Sequence, residues 1–358
     1  MRTKTKKLVS LAKQILARSE GLDKEEAAPK VATISTGSTL LNLAISDRWN
    51  GGYGLGKIVN IIGDTQAGKT TLALTAFAEA AHRKRFEDYD CRYDEPEAAL
   101  EHDIGKLFGQ RTLSRIRPPK GTMEDPRPSE TIEQFQYNIH SVLKRDKPFL
   151  YILDALDALD AEDDEKKMAE RVLAFEKGTQ AKGSYGMSKA KIMSQLLRQV
   201  VRKVRQNDSL LIIVSQTRDN INPMSFSPKT RSGGRALEFY ASHIMWLGMV
   251  KKIKKAGETI GVICRVKSTK SKLTGKQRTV EFPIYYEMGI DDVGSCVDYL
   301  LKQKVNIGKE LGIQGGKPSR MIRQIEDGGL EKELFRLTGR AWKAYEDKLL
   351  LNRKRRYE

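Results

Sequence analysis

The chain has 358 residues and carries 64 lysines and arginines against 46 aspartates and glutamates, a formal charge of +18 at pH 7. Its 39% hydrophobic and 31% charged residues are typical of a folded globular protein and exclude wholesale disorder. No segment reaches the ~20 apolar residues of a membrane helix, and three scattered cysteines exclude a disulfide framework or a zinc cage. We therefore expect a cytoplasmic protein with no membrane partner.

Apolar and amphipathic segments alternate along the chain after a basic N-terminal stretch. Residues 1–31 place leucine and isoleucine side chains at helical spacing, which predicts a helix that the polar run 21–30 joins to the rest. Short apolar runs predict buried strands at 57–63, 91–93, 149–153 and 210–214, and helical patterns predict helices at 70–84 and 189–205. Further strands are predicted at 244–247, 259–266 and 279–285, and a helical pattern begins at about 291.

This order of elements predicts an α/β fold whose mostly parallel sheet is flanked by helices. An N-terminal helix precedes this core, and a small, mainly helical C-terminal domain follows it. We expect domain boundaries that divide the chain into 1–32, 33–290 and a basic segment, 291–358.

The positive charge is concentrated in one part of the chain. Residues 181–280 contain 21 lysines and arginines but only four acids, so they carry about +17 of the net charge. Residues 151–180, in contrast, contain nine acids and four bases. A solubilising excess would be scattered, whereas a segregated one indicates a polyanionic partner, and nucleic acid is the leading candidate.

A phosphate-binding loop lies between the predicted strand at 57–63 and the helix that follows. The run Gly63-Asp64-Thr65-Gln66-Ala67-Gly68-Lys69-Thr70 fits the pattern G-x-x-x-x-G-K-[ST] in its strand-to-helix context. Its glycines allow backbone N–H groups to surround a phosphate at a helix N-terminus. Lys69 is expected to contact the β- and γ-phosphates, and the Thr70 hydroxyl to bind Mg²⁺. The predicted nucleotide-binding residues are Gly63, Asp64, Thr65, Gln66, Ala67, Gly68, Lys69, Thr70, Thr71 and Asp154.

Acidic residues at two strand ends are candidates for the rest of a hydrolytic site. Asp154 ends the apolar strand 149–153, where a carboxylate holds the Mg²⁺ of such sites. Hydrolysis also needs a group that orients the attacking water. The strand at 91–93 leads into Asp94, Glu95 and Glu97, any of which could serve, and a solvated acidic turn is the alternative.

Five segments in one order resemble the bacterial RecA recombinases and their phage UvsX-type relatives. They are residues 34–38, the phosphate loop, Met193-Ser194-Gln195, residues 210–216 and the run Gly233-Gly234-Arg235-Ala236-Leu237-Glu238-Phe239-Tyr240-Ala241-Ser242. The last run is the most specific and begins seventeen residues after Gln216. The resemblance covers about 31–290 and implies a RecA-like core, and the basic cluster 353–356 favours a viral source, with the host cytoplasm as location.

The resemblance implies roles for several residues at the ATP site. Glu97 matches the catalytic glutamate, although the usual Asp-x-Glu spacing is one residue longer here, which leaves Glu95 as a rival. Gln216 matches the γ-phosphate sensor. Lys270 and Lys272 match the pair that reaches the ATP of the neighbouring subunit, which makes hydrolysis depend on filament assembly.

Further matches concern the subunit interface and the base site. Phe239 would pack between subunits, and Glu238 stands where RecA has a lysine. Ile104 takes the place of an adenine-stacking tyrosine, so the adenine contacts are left open.

The resemblance also implies two DNA-binding loops, at about 158–187 and 217–235. Ile221 matches an apolar residue that wedges between base triplets, and most of the other matches would contact phosphates. The predicted DNA-binding residues are Lys191, Ser194, Arg198, Arg218, Ile221, Arg231, Gly233, Gly234 and Arg235.

The function that the resemblance implies is an ATP- and Mg²⁺-dependent DNA recombinase. It would form a homo-oligomeric helical filament on single-stranded DNA, through the N-terminal segment, and exchange that strand into duplex DNA. Single-strand-binding and mediator proteins are further candidate partners. Two alternatives stay open: a ring-forming helicase or translocase of the same fold, and an ATP-binding recombination mediator without strand exchange.

Overall fold

The computed structural model describes residues 31–97, 103–163, 187–219, 229–231 and 234–353. The predicted N-terminal helix, most of the first DNA loop, the middle of the second and residues 354–356 of the basic cluster lie outside these ranges. Within the described ranges, no helix has the length and hydrophobicity needed to cross a membrane.

A large sheet organises the described part of the chain. Its strands occur in the order β14-β13-β12-β11-β3-β9-β8-β4-β5. The pairs from β11 to β5 are parallel, and those from β11 to β14 are antiparallel. The strands are β1 Thr33–Ser35, β2 Gly52–Gly54, β3 Lys57–Gly63, β4 Asp90–Asp94, β5 Ile116–Arg117, β6 Lys120–Gly121, β7 Pro126–Arg127, β8 Phe149–Leu153, β9 Leu210–Asp219, β10 Lys229–Arg231, β11 His243–Lys255, β12 Glu258–Ser271, β13 Arg278–Tyr285 and β14 Gly289–Ile290.

Helices cover the sheet, which confirms the predicted α/β class. The apolar runs of β3, β8 and β9 are buried because helices pack on both faces of a parallel sheet. The helices are α1 Thr39–Ser46, α2 Lys69–Ala81, α3 Ile104–Phe108, α4 Gln110–Leu113, α5 Ile132–Leu143, α6 Met187–Gln206, α7 Gly234–Tyr240, α8 Asp292–Lys302, α9 Ile307–Leu311, α10 Pro318–Asp327 and α11 Glu331–Lys348.

A hydrophobic core cluster lies between the sheet and helices α5 and α6. Phe135 and Ile139 of α5 pack with Tyr151 of β8 and with Leu197 and Val200 of α6. Helix α5 is absent from the elements predicted above, although Thr131 caps its N-terminus by accepting a hydrogen bond from the Gln134 N–H.

Three predicted elements end at other positions. The helix predicted to Lys84 ends at Ala81, because Arg83 is extended and a 3₁₀ turn then places Phe86 in the core. The short strands predicted at 244–247 and 259–266 are strands of 13 and 14 residues that pair as a long hairpin. Exposed lysines occupy its outer part, so apolar periodicity alone does not reveal its length.

Helices α8 to α11 form a second, smaller hydrophobic cluster, which confirms the predicted helical segment after residue 291. Its buried members include Cys296, Leu300, Ile325 and Leu334. Residues 33–358 form one compact unit, and the boundary expected at 290/291 stays a prediction.

Candidate nucleotide and DNA site

The phosphate loop connects β3 to α2 with a conformation that its glycines permit. Gly68 has a φ of +86°, and a Cβ there would lie 2.5 Å from Ile284 Cδ1. At Gly63, a Cβ would lie 2.6 Å from the carbonyl oxygen of Leu247 in the neighbouring strand. Any larger residue at these two positions would therefore displace β11, β13 or the loop.

Lys69 begins α2 and lies across the loop. Its Nζ donates a hydrogen bond to the carbonyl oxygen of Asp64 at 2.7 Å. Burial lowers the pKa of Lys69, and the charges of Asp154, Glu97, Asp64 and Asp157 oppose this shift. The Lys69 ammonium group therefore lies at the phosphate loop, among four carboxylates, where it could contact a bound phosphate.

Thr70 in the first turn of α2 meets Asp154, the residue that follows β8. The Thr70 hydroxyl is hydrogen-bonded to the buried Asp154 carboxylate, and the Tyr93 hydroxyl donates to Asp154 Oδ2 at 3.4 Å. Burial raises the pKa of Asp154, whereas the Thr70 hydrogen bond and the Lys69 charge oppose that change. Mg²⁺ prefers hard oxygen ligands, and this hydroxyl–carboxylate pair beside the loop fits that preference.

The acids Asp94, at the end of β4, and Glu97, after it, have different surroundings. Asp94 is buried and accepts hydrogen bonds from the Ser129 N–H at 2.7 Å, the Ser129 hydroxyl at 2.6 Å and the Tyr151 hydroxyl at 2.5 Å. Glu97 is exposed, and its Oε1 accepts a hydrogen bond from Gln216 Nε2 at 2.9 Å. The structure thus brings together Glu97 and Gln216, while Asp94 belongs to a buried network under the sheet end.

Asp157, which sequence reasoning missed, and Asp64 of the phosphate loop hold the end of β9. The Gln216 N–H donates to Asp157 Oδ2 at 2.6 Å, and the Thr217 hydroxyl donates to Asp64 Oδ1. Asp157 lies in a 3₁₀ turn, Leu156–Ala158, that follows β8. The only signal in the sequence is a second carboxylate three residues after Asp154.

Lys270 contacts the end of a helix within its own protomer. Its Nζ donates to the carbonyl oxygens of Glu238 at 2.6 Å and Phe239 at 3.1 Å, at the C-terminus of α7. Lys272 is exposed, and its backbone N–H donates to the Ser242 carbonyl oxygen at 2.9 Å. The Phe239 side chain is 73% exposed, which is unusual for a large apolar residue.

Helix α6 presents predicted DNA-binding residues on one exposed face. Lys191, Ser194 and Arg198 line a shallow groove together with Gln195 and Gln199. Their spacing of three and four residues places them on one side of the helix, opposite the buried Leu197 and Val200 side.

The two ends of the second predicted DNA loop pair with each other as β-strands. Strand β10 pairs antiparallel with the end of β9, with Lys229 opposite Asp219 and Arg231 opposite Thr217. Arg218 is thus a backbone member of β9, and Gly234 and Arg235 begin α7. Ile221 and Gly233 lie outside the described residues, and so do residues 164–186 of the first loop.

Ile104 begins α3 and is buried, with 4% of its surface exposed. It replaces a residue that the resemblance places against adenine. The adenine contacts therefore stay open.

The sequence matches the family model of the RecA N-terminal domain over residues 13–110 and 173–291, more than half of the chain. The chain belongs to the RecA family. RecA-family proteins are DNA-dependent ATPases that bind ATP with Mg²⁺. The matched ranges contain the phosphate loop, Glu97, Gln216 and the Lys270 and Lys272 positions, while Asp154 falls in the unmatched interval.

Proposed function

We propose that this RecA-family chain is an ATP-dependent recombinase that polymerises on single-stranded DNA and exchanges the strand with a homologous duplex. The observation that carries this proposal is the hydrogen bond between Gln216 and Glu97. Gln216 ends the parallel part of β9, and the same strand continues into the second predicted DNA loop. One residue therefore links the hydrolytic carboxylate to the segment expected to bind DNA.

Each of the residues around the phosphate loop would have a separate role in ATP hydrolysis. Thr70 and Asp154 would hold Mg²⁺, and Lys69 would neutralise charge on the phosphates. Glu97 would accept a proton from the attacking water, a task for which its exposed carboxylate is accessible. When bound, ATP with Mg²⁺ supplies the phosphoanhydride bond whose cleavage drives the cycle. The Gln216 amide would exchange its bond to Glu97 for one to the γ-phosphate and thereby order the second loop.

Filament formation would complete the site. The exposed Phe239 and the Lys270–Lys272 segment lie close together, since Lys270 caps the helix that carries Phe239. An exposed aromatic beside cationic side chains suits an interface that brings lysines to a neighbouring subunit's ATP. The basic residues 353–356 favour the phage-type branch of the family.

A strand-exchange assay tests the proposal. Wild-type protein with ATP and Mg²⁺ should transfer a labelled strand into homologous duplex but not into heterologous duplex. Lys69→Ala should abolish ATP-dependent transfer because the phosphates lose their cation, whereas Lys84→Ala, exposed beyond the far end of α2, should not. DNA-dependent ATP hydrolysis without transfer would favour the mediator alternative, and closed hexamers in electron micrographs would favour the helicase alternative.

A further inference from the structure

The end of β9 is held from two sides by carboxylates that have no role in the hydrolytic scheme above. Strands β3 and β9 are parallel, and Gly63 lies opposite Gln216. The residues that follow these two, Asp64 and Thr217, are therefore neighbours at the ends of the strands. The Thr217 hydroxyl donates to Asp64 in the phosphate loop. On the other side, the Gln216 N–H donates to Asp157 Oδ2 at 2.6 Å.

Asp157 is also joined to the helix that carries the predicted DNA-binding face. Lys189, in the first turn of α6, donates through Nζ to the carbonyl oxygen of Leu159 and lies 3.5 Å from that of Asp157. Lys191 and Arg198 follow on the same helix. A continuous set of hydrogen bonds therefore runs from α6 through the Asp157 turn to Gln216, and from the Gln216 side chain to Glu97.

We propose that Asp157 is a positioning residue that couples the DNA face of α6 to the ATP-sensing end of β9. The Asp157 carboxylate accepts a hydrogen bond from the Gln216 backbone. If the end of β9 shifts when the Gln216 side chain changes partner, the Asp157 turn moves with it. Lys189 of α6 donates hydrogen bonds to this turn, so the movement reaches α6. Coupling between two sites requires a contact that differs between their states. In the proposed cycle that contact is the Gln216 side-chain bond, which passes from Glu97 to the γ-phosphate. The inference rests on the proposed ATP-gated DNA binding.

Asp154 is hydrogen-bonded to the Thr70 hydroxyl and Glu97 to the Gln216 side chain, whereas Asp157 holds the Gln216 main chain. It accepts a main-chain N–H, which stays in place when side chains exchange partners. Its charge is also felt at the phosphate loop, since it opposes the burial that lowers the pKa of Lys69.

The test compares three substitutions at this position. Asp157→Asn keeps an oxygen acceptor for the Gln216 N–H, Asp157→Leu keeps the approximate shape without an acceptor, and Asp157→Ala removes the side chain. Asp88→Ala is the matched control, because it removes an equal charge from an exposed position before β4, at the end of that strand opposite to Glu97. The readout is the ratio of dissociation constants for a fluorescent oligothymidylate measured with ADP and with a non-hydrolysable ATP mimic, both with Mg²⁺.

We expect the ratio to fall about tenfold in Asp157→Leu and Asp157→Ala, the range for losing a hydrogen bond to a charged group. Asp157→Asn and Asp88→Ala should keep this ratio within about threefold of wild type. The affinity of every variant for the ATP mimic without DNA should also stay within about threefold of wild type. A role confined to folding would not separate the Asn and Leu variants in this way. If the Ala variant fails to fold, the Leu variant decides.

Wild-type ratios in Asp157→Leu would overturn the inference, and so would an equal loss in Asp157→Asn, because charge and not the hydrogen bond would then be responsible. A ratio of one in the wild-type protein is a different result. It would remove the proposed ATP-gated DNA binding itself, and this inference with it.

Discussion

Gln216 is the residue on which most of the described site converges. Its side-chain amide contacts Glu97, its main-chain N–H contacts Asp157, and the next residue contacts Asp64. An amide side chain can both donate and accept, so it can exchange a carboxylate for a phosphate oxygen without a change of charge. A residue with these properties at the end of a central strand suits the role of a sensor.

Glu97→Gln should bind ATP and single-stranded DNA yet lose roughly 10²–10⁴ in the rate of hydrolysis, because a positioned base is removed while the amide keeps the shape. Glu95→Gln is the matched control, with one charge removed two residues away. Steady-state ATPase assays with saturating oligonucleotide measure both variants. A loss of hydrolysis in Glu95→Gln instead would identify Glu95, and not Glu97, as the catalytic glutamate.

Asp292 gives the fold a pH dependence. It is buried, and its carboxylate accepts hydrogen bonds from the Thr39 N–H at 2.7 Å and the Thr39 hydroxyl at 2.8 Å. Burial raises the pKa of Asp292 to about 7 despite these bonds. Because this pKa lies above the value of about 3.9 in the unfolded chain, the stabilisation by Asp292 is complete below pH 4 and is lost as the pH rises through 7.

Urea unfolding of the wild type and Asp292→Asn measures this effect. The free energy of unfolding of the wild type, relative to that of Asp292→Asn, should fall by roughly 1–4 kcal/mol between pH 4 and pH 8. Asp292→Ala should be destabilised at every pH, because Thr39 loses its partner. A difference between wild type and Asp292→Asn that does not vary with pH would show that Asp292 is ionised throughout.

Helix α6 has a buried side that packs in the core and an exposed side with predicted DNA contacts. Met193, Leu196, Leu197, Val200 and Val204 are buried, while the opposite side carries the predicted DNA contacts. Since 3.6 residues make one turn, a helix with this pattern can present its exposed side without loss of core contacts. Substitutions on that exposed side should therefore change binding and leave stability nearly unchanged.

Lys191→Ala and Arg198→Ala should each lower the salt dependence of single-stranded DNA binding by about 0.7 in the slope of log K against log salt, because each removes one phosphate contact. Lys203→Ala is the control, since Lys203 is exposed on another side of the same helix. Fluorescence anisotropy over a salt series with an ATP mimic gives the slopes. An equal change in Lys203→Ala would indicate a diffuse charge effect rather than a binding face.

On the scale of the whole molecule, Arg278 joins the sheet to the C-terminal helices and to α1. Its guanidinium, 8% exposed, lies 2.6 Å from both Asp47 and Glu346 and donates to the carbonyl oxygens of Leu43 and Ala44. It also lies over the Trp342 ring at 5.5 Å from the centroid. A buried cation with this many partners costs more to remove than a surface ion pair.

Arg278→Ala should lower the free energy of unfolding by about 2–4 kcal/mol, because the Leu43 and Ala44 carbonyl groups lose this donor and Glu346 keeps Lys276 but loses the guanidinium. Arg265→Ala, which breaks the exposed pair with Glu281 on the same sheet, should cost no more than about 1 kcal/mol. Chemical denaturation of both variants makes the comparison. Equal costs would show that the C-terminal helices are held by apolar packing rather than by Arg278.

The sequence by itself determined the features that depend on neighbouring residues. The phosphate loop is contiguous, and the apolar runs of β3, β8 and β9 are short-range patterns, so their positions and the α/β class could be predicted. The length of the β11–β12 hairpin could not be predicted from apolar residues, because lysines interrupt their pattern. Helix α5 has apolar residues at helical spacing after the Thr131 cap, so it could have been predicted as well.

Only the tertiary structure decided which side chains meet. Gln216 and Glu97 are 119 residues apart, and Gln216 and Asp157 are 59 apart. Their contacts follow from the order β3-β9-β8-β4, which brings the carboxyl ends of four parallel strands to one edge. Local periodicity fixes whether a segment is a strand, but long-range packing fixes the order of the strands, so this site emerges only when the sheet is assembled.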